Sequence, residues 1–209
     1  MSAEKQRVLM VERQLRRRGI GDERVLAAMR RVPRELFVPE AFRAEAYADA
    51  ALPIGGGQTI SQPYMVALIC GQLALRGAER VLDVGTGSGY QAAVLAELAA
   101  EVHTIERLPG LAEQARSNLA AAGYEGRLQL HVGDGTRGLP EHAPFDAIAV
   151  AAAAADVPQA LYDQLVPGGR LVLPRGAAAS QRLEVVVRTP EGPASLRGVP
   201  CRFVPLVFD

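Results

Sequence analysis

The chain reads as α/β: a doubly wound, mostly parallel sheet with an N-terminal helical cover and antiparallel strands at its C-terminal end. Three observations predict this. Apolar runs alternate with helix-compatible runs from residue 80 onward, the rhythm of strands joined by right-handed helical crossovers. The first apolar run, Val81-Leu82-Asp83-Val84, passes straight into the glycine turn Gly85-Thr86-Gly87-Ser88-Gly89. Finally, 49% of the 209 residues are hydrophobic, enough to bury a substantial core within a length that suits one domain.

Residues 3–18 are charged and helix-favouring, with Val8, Val11 and Leu15 at helical spacing. Arg16, Arg17 and Arg18 end that run before Gly19, where cations complement the helix dipole and glycine stops the helix. A second helix starts after Gly21-Asp22, places Val25, Ala28, Met29 and Val32 on one face, and closes at Pro33. Arg34 to Pro53 carries scattered prolines and reads as an irregular cover with short helices. A polar, glycine-rich stretch, Leu52 to Tyr64, then precedes a helix over Tyr64 to Leu75. Ser61 stands where a helix N-cap belongs, with Pro63 in the first turn.

Candidate parallel strands are Arg80–Val84, Val102–Glu106, Leu128–Val132, Asp146–Ala151 and Arg170–Pro174, with helices at 90–100, 108–122 and 157–165. Leu183–Arg188 and Cys201–Phe208 read as two antiparallel strands joined by a loop at 190–193, which brings the expected total to seven. By region, 1–78 holds the helices and a polar loop, 79–175 the strand–helix core and 176–209 the closing strands, all in one domain.

Composition narrows function. The formal net charge is zero, so no global field favours nucleic acid or anionic membrane. No apolar run approaches the roughly 20 residues of a membrane span, and the charged N-terminus lacks a signal-peptide core. Cys70 and Cys201 match no metal spacing and read as reduced thiols, which points to a cytoplasmic protein. His103, His131 and His142 lie on or near separate strands and form no metal spacing; no metal is expected.

An apolar strand, a glycine turn and a helix start make a site for a small ligand, because glycines admit close backbone approach and helix N–H groups face it. A dinucleotide turn would read G-x-G-x-x-G. Here Tyr90 occupies the third glycine position, and the pattern is G-x-G-x-G. That turn resembles the one in S-adenosylmethionine-dependent methyltransferases. Glu106 ends the second strand, where a carboxylate can accept both ribose hydroxyls. Asp134, in Gly133-Asp134-Gly135, ends the third, where it can accept from an adenine amino group. All three motifs map to the carboxyl ends of the strands, where ligands of such sheets bind. The fourth strand is followed by five alanines, Ala151 to Ala155, which cannot grip an exocyclic amine or stack a flipped base.

The run Leu52-Pro53-Ile54-Gly55 with Gly57-Gln58-Thr59-Ile60-Ser61-Gln62-Pro63-Tyr64 resembles the signature of protein-L-isoaspartate O-methyltransferases. Arg34 with Phe37-Val38-Pro39, Gly85 to Ala92, Gly133-Asp134-Gly135, Pro167 to Leu171 and Arg202 to Leu206 are similar to that family too, in its order and across nearly the whole chain. The resemblance implies a seven-stranded Rossmann-like methyltransferase sheet and S-adenosyl-L-methionine as cofactor, with S-adenosyl-L-homocysteine as product. The implied reaction methylates the α-carboxylate of L-isoaspartyl residues in damaged proteins and peptides, whose ester then cyclises to a succinimide. By matched position, Ser61 is the catalytic hydroxyl that orients the acceptor. Gln58, Thr59, Ile60, Asp83, Gly85, Gly87, Ser88, Glu106, Asp134, Gly135 and Gln181 are the implied cofactor residues. Ile54, Gly57, Thr59, Ser61, Arg202 and Val204 are the implied substrate residues. The enzyme would act as a monomer, without nucleic acid or membrane.

Two departures stand out. Gly56 replaces a larger side chain common in the family, and Ala151 replaces a position often filled by Thr. The alternatives are a methyltransferase for another peptide carboxylate, or a non-catalytic relative that only binds the cofactor.

Overall fold

The computed structural model describes residues 1–177 and 180–207. The first helical run is one continuous piece: α1 (Ala3–Met10) passes into a π turn at Val11–Leu15 and a 3-10 turn at Arg16–Arg18, ending at Gly19 with φ 91°. Helix α2 (Glu23–Arg31) is capped by Asp22, whose carboxylate accepts from the amides of Arg24 and Val25. Val32 is extended, as the residue before a proline must be, and the helix stops there. The irregular cover consists of two 3-10 pieces, Arg34–Phe37 and Glu40–Glu45.

The polar stretch holds an element its sequence hides. Strands β1 (Leu52–Gly55) and β2 (Gln58–Ile60) form an antiparallel hairpin. Gly55, Gly56 and Gly57 all have positive φ, at 97°, 58° and 72°, and three such residues in a row are open to glycine alone. Helix α3 (Pro63–Gln72) follows, with Gln62 rather than Ser61 at its N-cap position and no side-chain cap.

Seven strands form the main sheet in the order β5-β4-β3-β6-β7-β8-β9. Here β3 is Arg80–Val84, β4 Glu101–Glu106, β5 Gln129–Val132, β6 Phe145–Val150, β7 Leu165–Arg175, β8 Arg182–Thr189 and β9 Gly192–Pro200. The five strands β3 to β7 pair in parallel, and β8 and β9 add antiparallel. Helices α4 (Tyr90–Ala96), α5 (Pro109–Ala121) and α6 (Gln159–Asp163) occupy the crossovers. The chain leaves β3 toward β4 and β5, then returns to its other side at β6, so the strand order reverses beside β3. That reversal opens a crevice beyond the carboxyl ends of the strands.

Alternation along the strands divides the interior in two. Val81, Val102, Ala147, Ala149 and Val172 face the N-terminal helices, α3 and α4. Leu82, Val84, Ile105, Ile148, Val150 and Leu171 face α6 and Leu139 in a second core.

The last expected strand is displaced. Its partner for β8 is Gly192–Pro200, not Cys201–Phe208. Strand β9 is an exposed edge strand with Pro193, Gly198 and Pro200, so it carries no apolar alternation. The segment 201–207 is more apolar but runs extended beside the loop after β6, where Ala153 and Val204, and Leu206 and Ala153, exchange backbone hydrogen bonds of 2.8 and 2.7 Å. Phe208, the end of the expected strand, lies outside the described residues. Among the described residues, no helix is long and apolar enough to cross a membrane. Cys70 is buried, Cys201 half-buried, and both are free thiols.

Candidate functional site

A cleft opens where the sheet topology places it. The glycine turn from Gly85 to Ser88, the β4 end from Ile105 to Leu108, Gly135 after β5, and Ala151-Ala152 after β6 form its floor and sides. The hairpin strand β2 with Ser61, together with Val204 to Val207, closes the remaining wall.

The turn is held by its own sheet. The amides of Gly85 and Thr86 donate to the Ile105 carbonyl at 2.9 and 3.2 Å, and the Gly87 amide donates to the Glu106 carboxylate at 2.9 Å. These three turn amides are therefore satisfied within the chain. The cause is β4, which ends beside the turn and presents acceptors to it. Beneath the turn runs a buried chain of polar groups. Thr86 Oγ1 lies 2.6 Å from Thr104 Oγ1, which donates to Asp83 at 2.9 Å, and Gln91 Nε2 donates to the other Asp83 oxygen at 2.8 Å. Asp83 is fully buried and does not line the cleft. Burial with no cation at hand pushes its carboxyl up to about 6, against the pull of the Gln91 and Thr104 hydrogen bonds. It supports the turn from below.

Glu106 lines the cleft and is 7% exposed. Its Oε2 accepts from Gly87 and its Oε1 from the Leu108 amide at 3.0 Å. A carboxylate offers about four lone-pair sites, so two amides leave capacity for hydroxyl donors. Asp134 does not line the cleft; it caps the 3-10 turn Gly135–Arg137, where its Oδ1 accepts from the amide and hydroxyl of Thr136 at 2.9 and 2.7 Å. Gly135 reaches into the cleft wall because it lacks a side chain: a Cβ there would fall 2.7 Å from Val84 Cγ1.

Ser61 is shared between two spaces. A groove next to the cleft is lined by Arg18, Asp49, Tyr64 and the segment Val199–Val204, and Thr59, Ser61, Ala151 and Val204 line both. The serine is held through its backbone. The buried Arg34 guanidinium donates to the Ser61 carbonyl at 2.8 Å and to the Ala46 carbonyl at 2.8 Å, and lies over the Tyr90 ring at 4.8 Å. One residue on, Gln62 Nε2 donates to the Asp49 carboxylate at 2.7 Å. Among the described residues the Ser61 hydroxyl makes no hydrogen bond within the chain, so it is available to a ligand at the junction.

A model of the protein-L-isoaspartate(D-aspartate) O-methyltransferase family matches residues 4–209. The chain belongs to that family. A protein-L-isoaspartate O-methyltransferase of Methanoculleus marisnigri is 57% identical over 206 residues, 97% of this chain and 92% of the relative. One of Marinobacter nauticus is 58% identical, covering 96% and 92%. A crystal structure from Plasmodium falciparum, described as a protein-L-isoaspartate O-methyltransferase in complex with S-adenosyl-L-homocysteine, superimposes with a TM-score of 0.85 at 28% identity, covering 96% and 98%.

Within this family member, the structure gathers most of the residues picked from sequence and sets a few apart. Gln58, Thr59, Ile60, Gly85, Gly87, Ser88, Glu106 and Gly135 line the cleft, and Arg202 and Val204 line the groove. Gln181 lines neither. Its side-chain amide is clamped to the backbone of Phe203, donating at 3.1 Å and accepting at 2.6 Å, so it shapes the groove from behind. Ile54 faces a third depression with Phe37, Ser88 and Leu111, and Gly57 sits on the exposed hairpin turn. Gly56 lies over α5, where a Cβ would come 3.3 Å from Leu108 Cδ1. Sequence reasoning gave Arg18 only a helix-ending part and Tyr64 only a place in the signature run, yet both line the groove. The Arg18 guanidinium stacks 3.6 Å from the Tyr64 ring centre and pairs with Asp49 at 2.9 Å, although 43 positions separate it from Ser61. Arg16 has a structural part only, paired with Glu12 and Glu23.

Proposed function

We propose that this chain methylates the α-carboxylate of L-isoaspartyl residues, with S-adenosyl-L-methionine held in the cleft and the peptide in the groove. The observation that carries the reading is the position of Ser61, on the wall that cleft and groove share.

The residues fit the cofactor. Glu106 keeps acceptor capacity for ribose hydroxyls, Gly85 to Ser88 let a ligand approach the backbone, and Gly135 opens room beside Val84. When bound, the sulfonium supplies an activated methyl electrophile. The acceptor needs no base, because an α-carboxyl of pKa about 3.5 is already ionised near neutral pH. The chain's own work is then alignment and exclusion of water, which in well-oriented systems corresponds to effective molarities of order 10⁵–10⁸ M.

Ser61 suits that work. It is neutral, so it does not repel an anionic acceptor, and its hydroxyl can donate to one carboxylate oxygen while the other faces the cleft. Arg34 fixes the backbone from which it projects. Arg202 gives the groove positive charge for an acidic group, while Arg18 is balanced by Asp49. Cleft and groove close within one chain, which supports action as a monomer. Free thiols and the absence of an apolar helix of membrane length support a cytoplasmic setting.

The decisive experiment incubates the protein and methyl donor with paired peptides, one isoaspartyl and one aspartyl, followed by mass. Addition of one methyl group to the isoaspartyl peptide alone is the expected result. Methylation of neither peptide, or of the aspartyl peptide only, overturns the reading.

A further inference from the structure

On the face of β4 opposite Thr104 and Glu106, three histidines meet. Their sequence spacing keeps them apart, but strand pairing sets Ile105 against His131, which brings His103 and His131 onto one face of neighbouring strands. His142 comes down on them from the 3-10 turn Pro140–His142. Ring centres lie 5.4 Å apart for His103–His131, 4.3 Å for His103–His142 and 4.9 Å for His131–His142. One ring nitrogen from each lies within 4.8 Å of the other two.

We propose that His103, His131 and His142 form a binding site for a divalent transition-metal ion of the zinc class. The tautomers favour it. His103 Nε2 is 2.8 Å from the Glu101 carboxylate, which can only accept, so Nε2 carries the proton and Nδ1 presents a lone pair to the cluster. Glu101 is fixed in turn by Arg80 at 2.8 Å. A carboxylate behind a histidine is the arrangement that orients metal-bound imidazoles. His103 is fully buried and cannot swing away.

The spacing favours it as well. His103 Nδ1 and His131 Nε2 are 3.1 Å apart. Two nitrogens at about 2.05 Å from a tetrahedral ion stand roughly 3.3 Å apart, so this pair is nearly at ligand separation. His131 needs only to move its proton from Nε2 to Nδ1, and half-buried His142 to close by an ångström or two. Three imidazoles select zinc, cobalt, nickel or copper over magnesium or calcium, and water takes the fourth position.

The site has a structural place in the fold. Helix α5 packs in the core on the other side of the sheet, through Leu111 and Leu119. On the histidine side, β4 and the short edge strand β5 are crossed by the 3-10 turns between residues 135 and 142. An ion bound to all three histidines ties β4, β5 and that crossover together, away from the methyl-transfer cleft.

The test uses the untagged full chain, stripped with a chelator and dialysed against Zn²⁺, then assayed for metal per chain. A parallel sample takes Co²⁺ and is read by its visible ligand-field bands. One Zn²⁺ per chain, intense low-coordinate Co²⁺ bands and a raised Tm are expected. His142→Ala and His131→Gln, each checked for folding by circular dichroism and methyl transfer, should bind about tenfold more weakly or worse, since even outer partners of metal-bound histidines are worth about 10- to 100-fold. Loss of Zn²⁺ from the parent chain on dialysis overturns the proposal. So does binding that survives both substitutions, or octahedral aquo-like Co²⁺ spectra.

Discussion

The Arg34 guanidinium donates to the Ser61 carbonyl across 2.8 Å, and Ser61 lines both cleft and groove. An arginine 27 positions upstream thus sets the position of the residue assigned to the acceptor. Arg34 is completely buried, and burial lowers its pKa to about 10, so it stays charged at neutral pH. Arg34→Met keeps much of the volume but leaves the Ser61 and Ala46 carbonyls without donors, at about 1–3 kcal/mol each. We expect a lower Tm and a kcat reduced roughly 10- to 100-fold, the scale of an ångström-level misplacement. Calorimetric titration with S-adenosyl-L-homocysteine should show little change, because Arg34 does not touch the cleft.

Ser61→Ala should lower kcat while leaving S-adenosyl-L-homocysteine affinity and Tm nearly intact. The structure sharpens this expectation, because Ser61 caps no helix and its hydroxyl holds nothing within the described chain. A matched fall in cofactor affinity and Tm would show a supporting role instead.

Asp83 makes stability depend on pH in a direction opposite to most aspartates. Its folded pKa of about 6 stands above the unfolded value near 3.8, so the folded chain holds the proton more tightly. The contribution is full below about pH 4 and is lost as pH rises through about 6. Asp83→Asn cannot ionise, and Gln91, whose Oε1 is buried without a partner, can turn its amide to accept from the new Nδ2. Relative to the parent, this variant should gain stability between about pH 4 and 7, by up to roughly 3 kcal/mol for two pKa units. Urea midpoints across that range measure it; a difference that is flat with pH would refute it.

Gln181 separates two assignments for one residue. Sequence matching put it with the cofactor, and the structure ties it to Phe203. Gln181→Leu should raise the peptide KM several-fold through a loosened Arg202–Val204 segment and leave S-adenosyl-L-homocysteine affinity unchanged. The reverse outcome would restore the cofactor assignment.

Much of this was legible because buried parallel strands announce themselves. Between Arg80 and Val84 the strand is apolar but for Asp83 and runs into its glycines, and its observed bounds are those expected. The hairpin at Leu52–Ile60 was hidden, since two short strands around three glycines carry almost no periodicity. Strand β9 was missed for the opposite reason to a core strand: nearly all of it faces water. Arg34 stands in a family-like segment, but its role and that of Arg18 had no local signal, because they depend on contacts 27 and 46 positions away. The histidines escaped because their spacing is unreadable until β4 and β5 are paired.

The glycine turn, finally, has its Gly85, Thr86 and Gly87 donors satisfied by Ile105 and Glu106. A ligand that settles on it has little to order, so its binding free energy is not drained by local folding. The heat-capacity change of cofactor binding should accordingly track the apolar area the ligand covers, without the larger coupled-folding contribution seen where a loop must first be made.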